Sequence, residues 1–382
     1  MTKLILIDAR LYGLENSGIG RYLINLIKEL IVLDKNNKYI LLLREKYFNE
    51  LKLPRNWKKV LVDIRHYTLK EQLKIPQIIS KEAPDLVHFP HINFPIFYKG
   101  KYVITVHDLT MQRQGSNASD LPLPLYYLKR LPFLLSAVKA VRNAGMIIVP
   151  SIEVKNDVVN YYSINSNKVK VAYEGVSFPT AYHSQRISAK KILDNYGISE
   201  KQYFLYVGNA YPHKNLDFAI KAFNKLNSQS KFNTNFVIAG SGGVFKDRLE
   251  KNIKDAGAQK LVKLLGYIPD EELPALYKNS IAFIYPSISE GFGLQGLETM
   301  AAETLLLASD IPVFKEIYRE QAMYFDPKNE DSLVEAMGNA IKLPQKERSK
   351  IINSSKEYIK RFSWHDMAKD TLEVYQQVLS EK

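Results

Sequence analysis

Glu290 and Glu298 stand with seven residues between them, three of which are glycine: Ser287-Ile-Ser-Glu-Gly-Phe-Gly-Leu-Gln-Gly-Leu-Glu-Thr-Met-Ala-Ala302. A carboxylate accepts hydrogen bonds from hydroxyls and repels phosphate. Two carboxylates around an anion-binding loop therefore suit a ligand with hydroxyls at both ends and phosphates between. Gly291 and Gly293 let a ligand approach the main chain, and a helix starting near Leu294 would turn unpaired N–H groups toward its phosphates. On that helix Glu298 lies about 6 Å further along the axis, at roughly 1.5 Å per residue. Glu290, ahead of the glycines, addresses a different part of the ligand. A sugar nucleotide has this layout.

The elements that position the pair follow from its neighbours. The apolar run 281–285 reads as a buried strand, and Leu294, Leu297 and Ala301 recur at helical spacing, so the pair sits on a strand, glycine loop, helix unit. Short apolar strands alternate with helical patterns along the chain. They are expected over 4–7, 39–43, 60–64, 86–89, 102–106, 146–149 and 169–173, then over 203–207, 236–239, 261–265, 281–285, 305–308 and 323–325. This alternation predicts an α/β fold of two largely parallel sheets covered by helices. A chain of 382 residues with 46% hydrophobic content can bury two cores. Residues 174–201 carry no strand and one short helix, 189–196, and are taken as the linker region. The expected domains are 1–185 and 186–363. Helices near 330–342, 345–362 and 364–379 close the chain.

Other residues with chemical potential fall after strands. Asn16-Ser-Gly-Ile-Gly-Arg-Tyr follows the first strand and opens an apolar helical pattern. Gly18 and Gly20 there would admit a phosphate or an acceptor to the backbone, with Arg21 beside them, although a simple tight turn accounts for the glycines about as well. His107-Asp108 ends the strand 102–106, where open parallel sheets present ligand-facing residues. His88 and His91 follow or end the preceding strand and are candidates for lining an acceptor site; no third ligand accompanies them for zinc. Lys214, in Tyr206-Val-Gly-Asn-Ala-Tyr-Pro-His-Lys-Asn, is placed to neutralise a diphosphate. Gly240-Ser-Gly-Gly and Gly266-Tyr-Ile-Pro follow later strands of the second series.

Tyr-Pro-Ser-x-x-Glu-Gly-Phe-Gly-Leu with Glu-x7-Glu resembles the signature of retaining glycosyltransferases of family 4, and the likeness extends over nearly the whole chain. It implies the GT-B fold, two Rossmann-like doubly wound domains facing across a cleft, with the last helix (364–382) packing back on the first domain. It also implies roles. Glu290 would contact the transferred sugar and Glu298 the nucleotide ribose, Lys214 and the loop Gly291, Phe292, Gly293, Leu294 the diphosphate, and His107 the donor sugar. Gly18, Gly20 and Gly240 would border the donor, Tyr267 and Ile268 would meet its base, and His88, His91 and Arg21 would lie on the acceptor side. Many members carry an arginine where this chain has Asn209, which lacks the permanent charge and fork of a guanidinium, so leaving-group stabilisation would rest more on Lys214. The departing phosphate oxygen would take the acceptor's proton, so no protein nucleophile is expected; no Asp-x-Asp motif appears, so no bound metal is expected either, and no cofactor beyond the donor substrate. The amino-terminal glycine loop and the histidine segment resemble bacterial mannosyltransferases of polysaccharide assembly, which favours GDP-mannose as donor substrate and a glycan or lipid-linked acceptor. A non-catalytic nucleotide-sugar or glycan binder and a sugar-nucleotide epimerase are the alternatives; a retaining glycoside hydrolase would need its carboxylates about 5–5.5 Å apart across one bond.

Composition bounds the setting. No cysteine occurs, so there is neither a disulfide framework nor a thiolate metal site. No stretch approaches the roughly 20 apolar residues of a spanning helix, and no signal-peptide layout opens the chain, so a cytoplasmic location is expected. A net charge of +13 calls for an anionic partner or surroundings. Basic and aromatic residues mix between 44 and 81 and between 126 and 142, which suits either an anionic membrane surface on the inner face of the cell membrane or a plain solvated cationic face. No nucleic-acid-binding motif accompanies the charge.

Overall fold

Uninterrupted runs such as Leu-Ile-Leu-Ile and Ala-Phe-Ile-Tyr have no polar face to offer water, so the sheets they form must be covered on both sides. The computed structural model describes residues 2–113, 115, 123–176, 188–229, 232–240 and 246–381. They form two compact units, Met1–Gly175 with Phe362–Lys382, and Val176–Arg361.

The first unit holds β1 (Leu4–Asp8), β2 (Lys38–Leu43), β3 (Trp57–Leu61), β4 (Leu86–Phe89), β5 (Tyr102–Thr105), β6 (Met146–Val149) and β7 (Val169–Val171) in one sheet of order β3-β2-β1-β4-β5-β6-β7. The second holds β8 (Tyr203–Val207), β9 (Asn235–Ala239), β10 (Val262–Gly266), β11 (Ala282–Tyr285), β12 (Leu305–Ser309) and β13 (Met323–Phe325), ordered β10-β9-β8-β11-β12-β13. Every strand pair is parallel. Both sheets are doubly wound, and the winding reverses between β1 and β4 and between β8 and β11. Loops after the carboxyl ends of those central strands diverge there and leave a crevice, the usual place for a ligand in such sheets.

Strand β3 lies earlier than the apolar run 60–64 suggests. It is an edge strand registered from Tyr39↔Trp57 to Leu43↔Leu61. Only Trp57 of its five residues is buried, so continuous hydrophobicity is a poor guide to its bounds.

Three helices of the first unit matter below: α1 (Ser17–Leu33), α2 (Leu69–Glu82) and α3 (Leu123–Asn143). In the second unit α4 (Leu294–Ala301) follows β11, and the chain ends in α5 (Trp364–Ser380). Helix α5 packs on α1 and on β4 to β7 of the first unit, burying Met367, Ala368, Thr371, Val374, Tyr375 and Val378. Its amino terminus is capped by Ser363, which accepts from the Asp366 N–H. The divide between units falls at 175/176 and 361/362, against the expected 185/186 and 363/364; residues 177–187 lie outside the described residues. Local packing accounts for the difference. A Cβ on Gly175 would stand 2.2 Å from the Trp364 nitrogen, and Phe362 meets Tyr173 edge-on with ring centroids 6.2 Å apart. Both ends of the excursion are therefore tied to the first core.

Candidate active site

Both segments that carry Lys214 and Glu290 leave the second sheet at its point of reversal, one after β8 and the other after β11. Lys214 ends a tight turn, Pro212–Lys214, that Asn215 closes in the left-handed conformation. The Asn215 side-chain amide donates to the Pro327 carbonyl at 3.0 Å. The Ile288 N–H donates to the His213 carbonyl at 2.9 Å, which ties the two loops together. Across that junction Lys214 Nζ lies 2.6 Å from Glu290 Oε1, with each side chain only 11% exposed.

Beyond Glu290 the chain turns into α4. Gly293 caps this helix with φ +95, and a Cβ there would stand 2.1 Å from the Tyr318 hydroxyl. Only glycine combines that backbone conformation with that approach. The Tyr318 hydroxyl donates to the Gly293 carbonyl at 2.5 Å, while Phe292 and Leu294 are buried on either side. Glu298 lies on α4, itself buried, with the Tyr277 hydroxyl 3.5 Å from Oε2.

Three buried tyrosines of the second unit feel the charge of Glu290. Tyr206 donates to the Asn209 carbonyl at 2.7 Å and Tyr285 to Gln295 Oε1 at 2.6 Å. Burial first, and then the Glu290 charge, raises the Tyr206, Tyr285 and Tyr318 hydroxyls well above the usual phenol range. All three stay neutral donors: Tyr206 and Tyr318 hold the backbone of the site, and Tyr285 holds the Gln295 side chain of α4. Sequence reasoning assigned none of them a role. The signal they carry is a hydroxyl inside an otherwise apolar strand or helix face, which must find a partner when buried.

The other donor-side residues divide. Gly208, Gly240 and Gly266 meet at adjacent strand ends: Gly240 N–H donates to the Gly266 carbonyl at 2.7 Å, and a Cβ on Gly240 would lie 1.9 Å from the Gly208 carbonyl oxygen. With Ala210, Ile238, Lys246, Leu249 and Leu264 they line a small cleft. Residues 241–243 of the Gly240 segment lie outside the described residues. The Asn209 side chain accepts from the Tyr211 N–H at 3.4 Å, so it braces its own loop. Tyr267 is 67% exposed, but Ile268 is 4% exposed and anchors the turn in the core.

In the first unit, Gly18 and Gly20 occupy the first turn of α1. A Cβ on Gly20 would strike the Gly13 carbonyl oxygen at 1.8 Å, whereas nothing lies within 4 Å of one on Gly18. Packing therefore explains Gly20, and Gly18 alone faces open space. Arg21 follows, half-buried. His107 is half-buried at the end of β5; Nε2 donates to the Pro90 carbonyl at 3.1 Å, and Nδ1 lies 3.4 Å from Glu174 Oε1. Glu174, the first acid beyond β7, carries the same strand-end signal as His107 and was not singled out from sequence.

His88 is corrected. It lies inside β4, fully buried, with Nδ1 2.6 Å from the Tyr375 hydroxyl and Nε2 2.8 Å from Thr105 Oγ1. Burial pushes its pKa down to about 3. It is a core residue joining β4, β5 and α5, and it lines no acceptor site. His91 lies beyond the strand, half-buried; Nδ1 accepts from the Asn93 N–H at 3.1 Å, which leaves Nε2 to carry the proton 3.4 Å from the Tyr67 hydroxyl. Asp8 and Arg10, without a task from sequence, form a buried cluster in which Arg10 Nη2 lies 2.6 Å from Asp8 and 2.7 Å from Glu71. Asn93 Nδ2 donates to the same Glu71 oxygen at 2.8 Å. The cluster joins the end of β1, α2 and the loop that carries His91.

Comparison with known proteins places these features. Residues 16–178 match the family described as Glycosyltransferase Family 4, and residues 188–358 match Glycosyl transferases group 1. The O-antigen chain mannosyltransferase RfbU of Salmonella typhimurium is 29% identical over 79% of this chain and 76% of its own length. The O-antigen chain mannosyltransferase B of Escherichia coli is 22% identical over 94% of this chain and 96% of its own. Among solved structures, HepE of Anabaena in complex with UDP and glucose has a TM-score of 0.73 at 15% identity, covering 98% of this chain and 100% of that one. With a matching family in each half, a doubly wound sheet in each unit, and Lys214 and Glu290 at the reversal of the second, the chain belongs to the family 4 glycosyltransferases of GT-B fold.

Proposed function

We propose that this glycosyltransferase moves a mannosyl residue from GDP-mannose to a hydroxyl of a glycan or lipid-linked acceptor, in the cytoplasm, with retention of anomeric configuration and without a bound metal ion. The observation that carries this reading is the half-buried Lys214–Glu290 pair beside the amino terminus of α4. Lys214 is the only lysine or arginine between Gly208 and Asn215. A donor diphosphate offers its ammonium a stronger anion than one carboxylate. As Lys214 turns to phosphate, Glu290 is freed to accept hydrogen bonds from sugar hydroxyls, and Glu298 on the next turn is placed for the ribose.

The bond from the sugar's anomeric carbon to phosphate oxygen breaks with its electron pair leaving on the diphosphate. The acceptor oxygen bonds to that carbon from the same face, and its proton passes to the departing phosphate oxygen. Lys214 and the N–H groups at the start of α4 stabilise the charge that builds on the leaving group. Mannose as the transferred sugar is supported by the likeness to O-antigen mannosyltransferases. A nucleotide diphosphate as its carrier is supported by the UDP held by HepE.

Thermal unfolding with GDP, UDP, ADP and their sugars tests the donor. A nucleotide at about 100 times its Kd adds ~2.7 kcal/mol of stability, and GDP should exceed the others. Transfer to a glycan acceptor in excess chelator, with the product anomer read by NMR, tests the rest. No shift with any nucleotide would sink the reading.

A further inference from the structure

Helix α3 is patterned inside out. Its buried side is made of Ser136, Ala137, Ala140 and Val141, while Leu128, Leu131 and Leu135, one turn or so apart on the opposite side, are 71%, 62% and 63% exposed. A helix on a water-facing surface normally places its leucines the other way. On α2, Leu69 and Leu73 are likewise exposed, at 84% and 57%, and Phe97 between the helices is 56% exposed.

These residues share one scaffold. The Gln72 side chain of α2 donates to the Phe94 carbonyl at 3.4 Å and accepts from the Ile96 N–H at 2.8 Å. From α3, Ser136 donates to the same Phe94 carbonyl at 2.9 Å and Lys139 to the Ile96 carbonyl at 2.5 Å. The two helices thus flank the segment 94–97 and carry exposed leucines on either side of Phe97.

Charge decides what such a surface meets. Helix α3 contains no aspartate or glutamate, nor does the segment 94–101. On α2, Glu71 is buried against Arg10 and Glu82 pairs with Lys58 at the far end of the helix. Lys70, Lys74, Lys99 and Lys129 are all exposed among the apolar residues. Exposed leucines ringed by cations, without compensating acids, match the acyl boundary and headgroups of an anionic bilayer. Among the described residues no helix is long and apolar enough to cross a membrane, so the contact is made from the surface.

We propose that the α2–α3 face of the first unit docks on anionic phospholipid, with Leu128, Leu131, Leu135, Leu69, Leu73 and Phe97 entering the interface and the neighbouring lysines pairing with headgroups. The full chain is floated with vesicles of phosphatidylcholine alone and with vesicles containing phosphatidylglycerol, in low and high salt and without nucleotide sugar, so the result bears on this surface alone. Binding should be at least roughly tenfold stronger to the phosphatidylglycerol vesicles and should weaken with salt. L128S/L131S/L135S should lose that binding while its thermal unfolding and nucleotide-induced shift stay as in the parent. K70S/K74S should bind roughly tenfold more weakly, with a shallower salt dependence. Equal vesicle binding by the parent and the leucine variant would overturn the proposal. So would a parent dimer that the leucine variant converts to monomer with vesicle binding unchanged, since the face would then belong to a second copy.

Discussion

Lys214 and Glu290, 76 residues apart in sequence, close a 2.6 Å ion pair inside the second unit with both side chains nearly shielded from water. Each holds the other in place. Removing either leaves a poorly solvated charge behind. Lys214→Ala should lower kcat by about 10²-fold or more, as expected for a lost cation at a leaving group, with Lys214→Arg recovering part of it. Steady-state kinetics on both variants and on Glu290→Gln, combined in a double-mutant cycle, should show strong non-additivity.

Gly293 separates backbone requirement from ligand contact. With φ +95 and the Tyr318 hydroxyl 2.1 Å from where a Cβ would stand, Gly293→Ala should cost about 1–3 kcal/mol of stability. Gly18→Ala is the comparison, because nothing lies within 4 Å of a Cβ there and alanine is the better helix former. Urea unfolding of the two variants should give opposite signs.

The Arg10 cluster predicts an acid-sensitive stability. Burial alone would raise the Asp8 carboxyl, but the adjacent Arg10 outweighs it and lowers the pKa below its ordinary 3.8. Its stabilising contribution is therefore complete above about that pH and is lost as pH falls through the lower folded-state value. Arg10→Met, which leaves Asp8 and Glu71 as unpaired buried acids, should cost about 3–5 kcal/mol at neutral pH. The gap to the parent should narrow in acid, as chemical denaturation at both pH values would reveal.

His88 predicts a second dependence, beginning at higher pH. Its folded-state pKa is about 3 against an ordinary 6.5, so between those values the unfolded chain binds a proton that the folded chain refuses. Stability falls as pH drops through that window, by about 1.4 kcal/mol per pH unit for one such group. His88→Gln keeps a donor and an acceptor but no titrating proton. Its unfolding free energy should fall less steeply from pH ~6 to ~4.

The α/β class, the strands and the glutamate pair were legible in the chain because they are local. A buried parallel strand must be continuously apolar, and a glycine loop before a helix must show its glycines. The strands at 86–89, 146–149 and 203–207 have the expected bounds for that reason. Edge strand β3 does not, since only one face of it is covered. Distance along the chain conceals the rest. Whether His88 is a ligand or a core group depends on Tyr375, 287 residues away, and the Asp8–Arg10 pair becomes a buried cluster only through Glu71, 61 residues from Arg10. Lys214 and Glu290 were each recognisable from sequence. That they meet, over three buried tyrosines at the reversal of a doubly wound sheet, is a consequence of strand order. Strand order is set by how long-range pieces of core pack together, which no local spacing encodes.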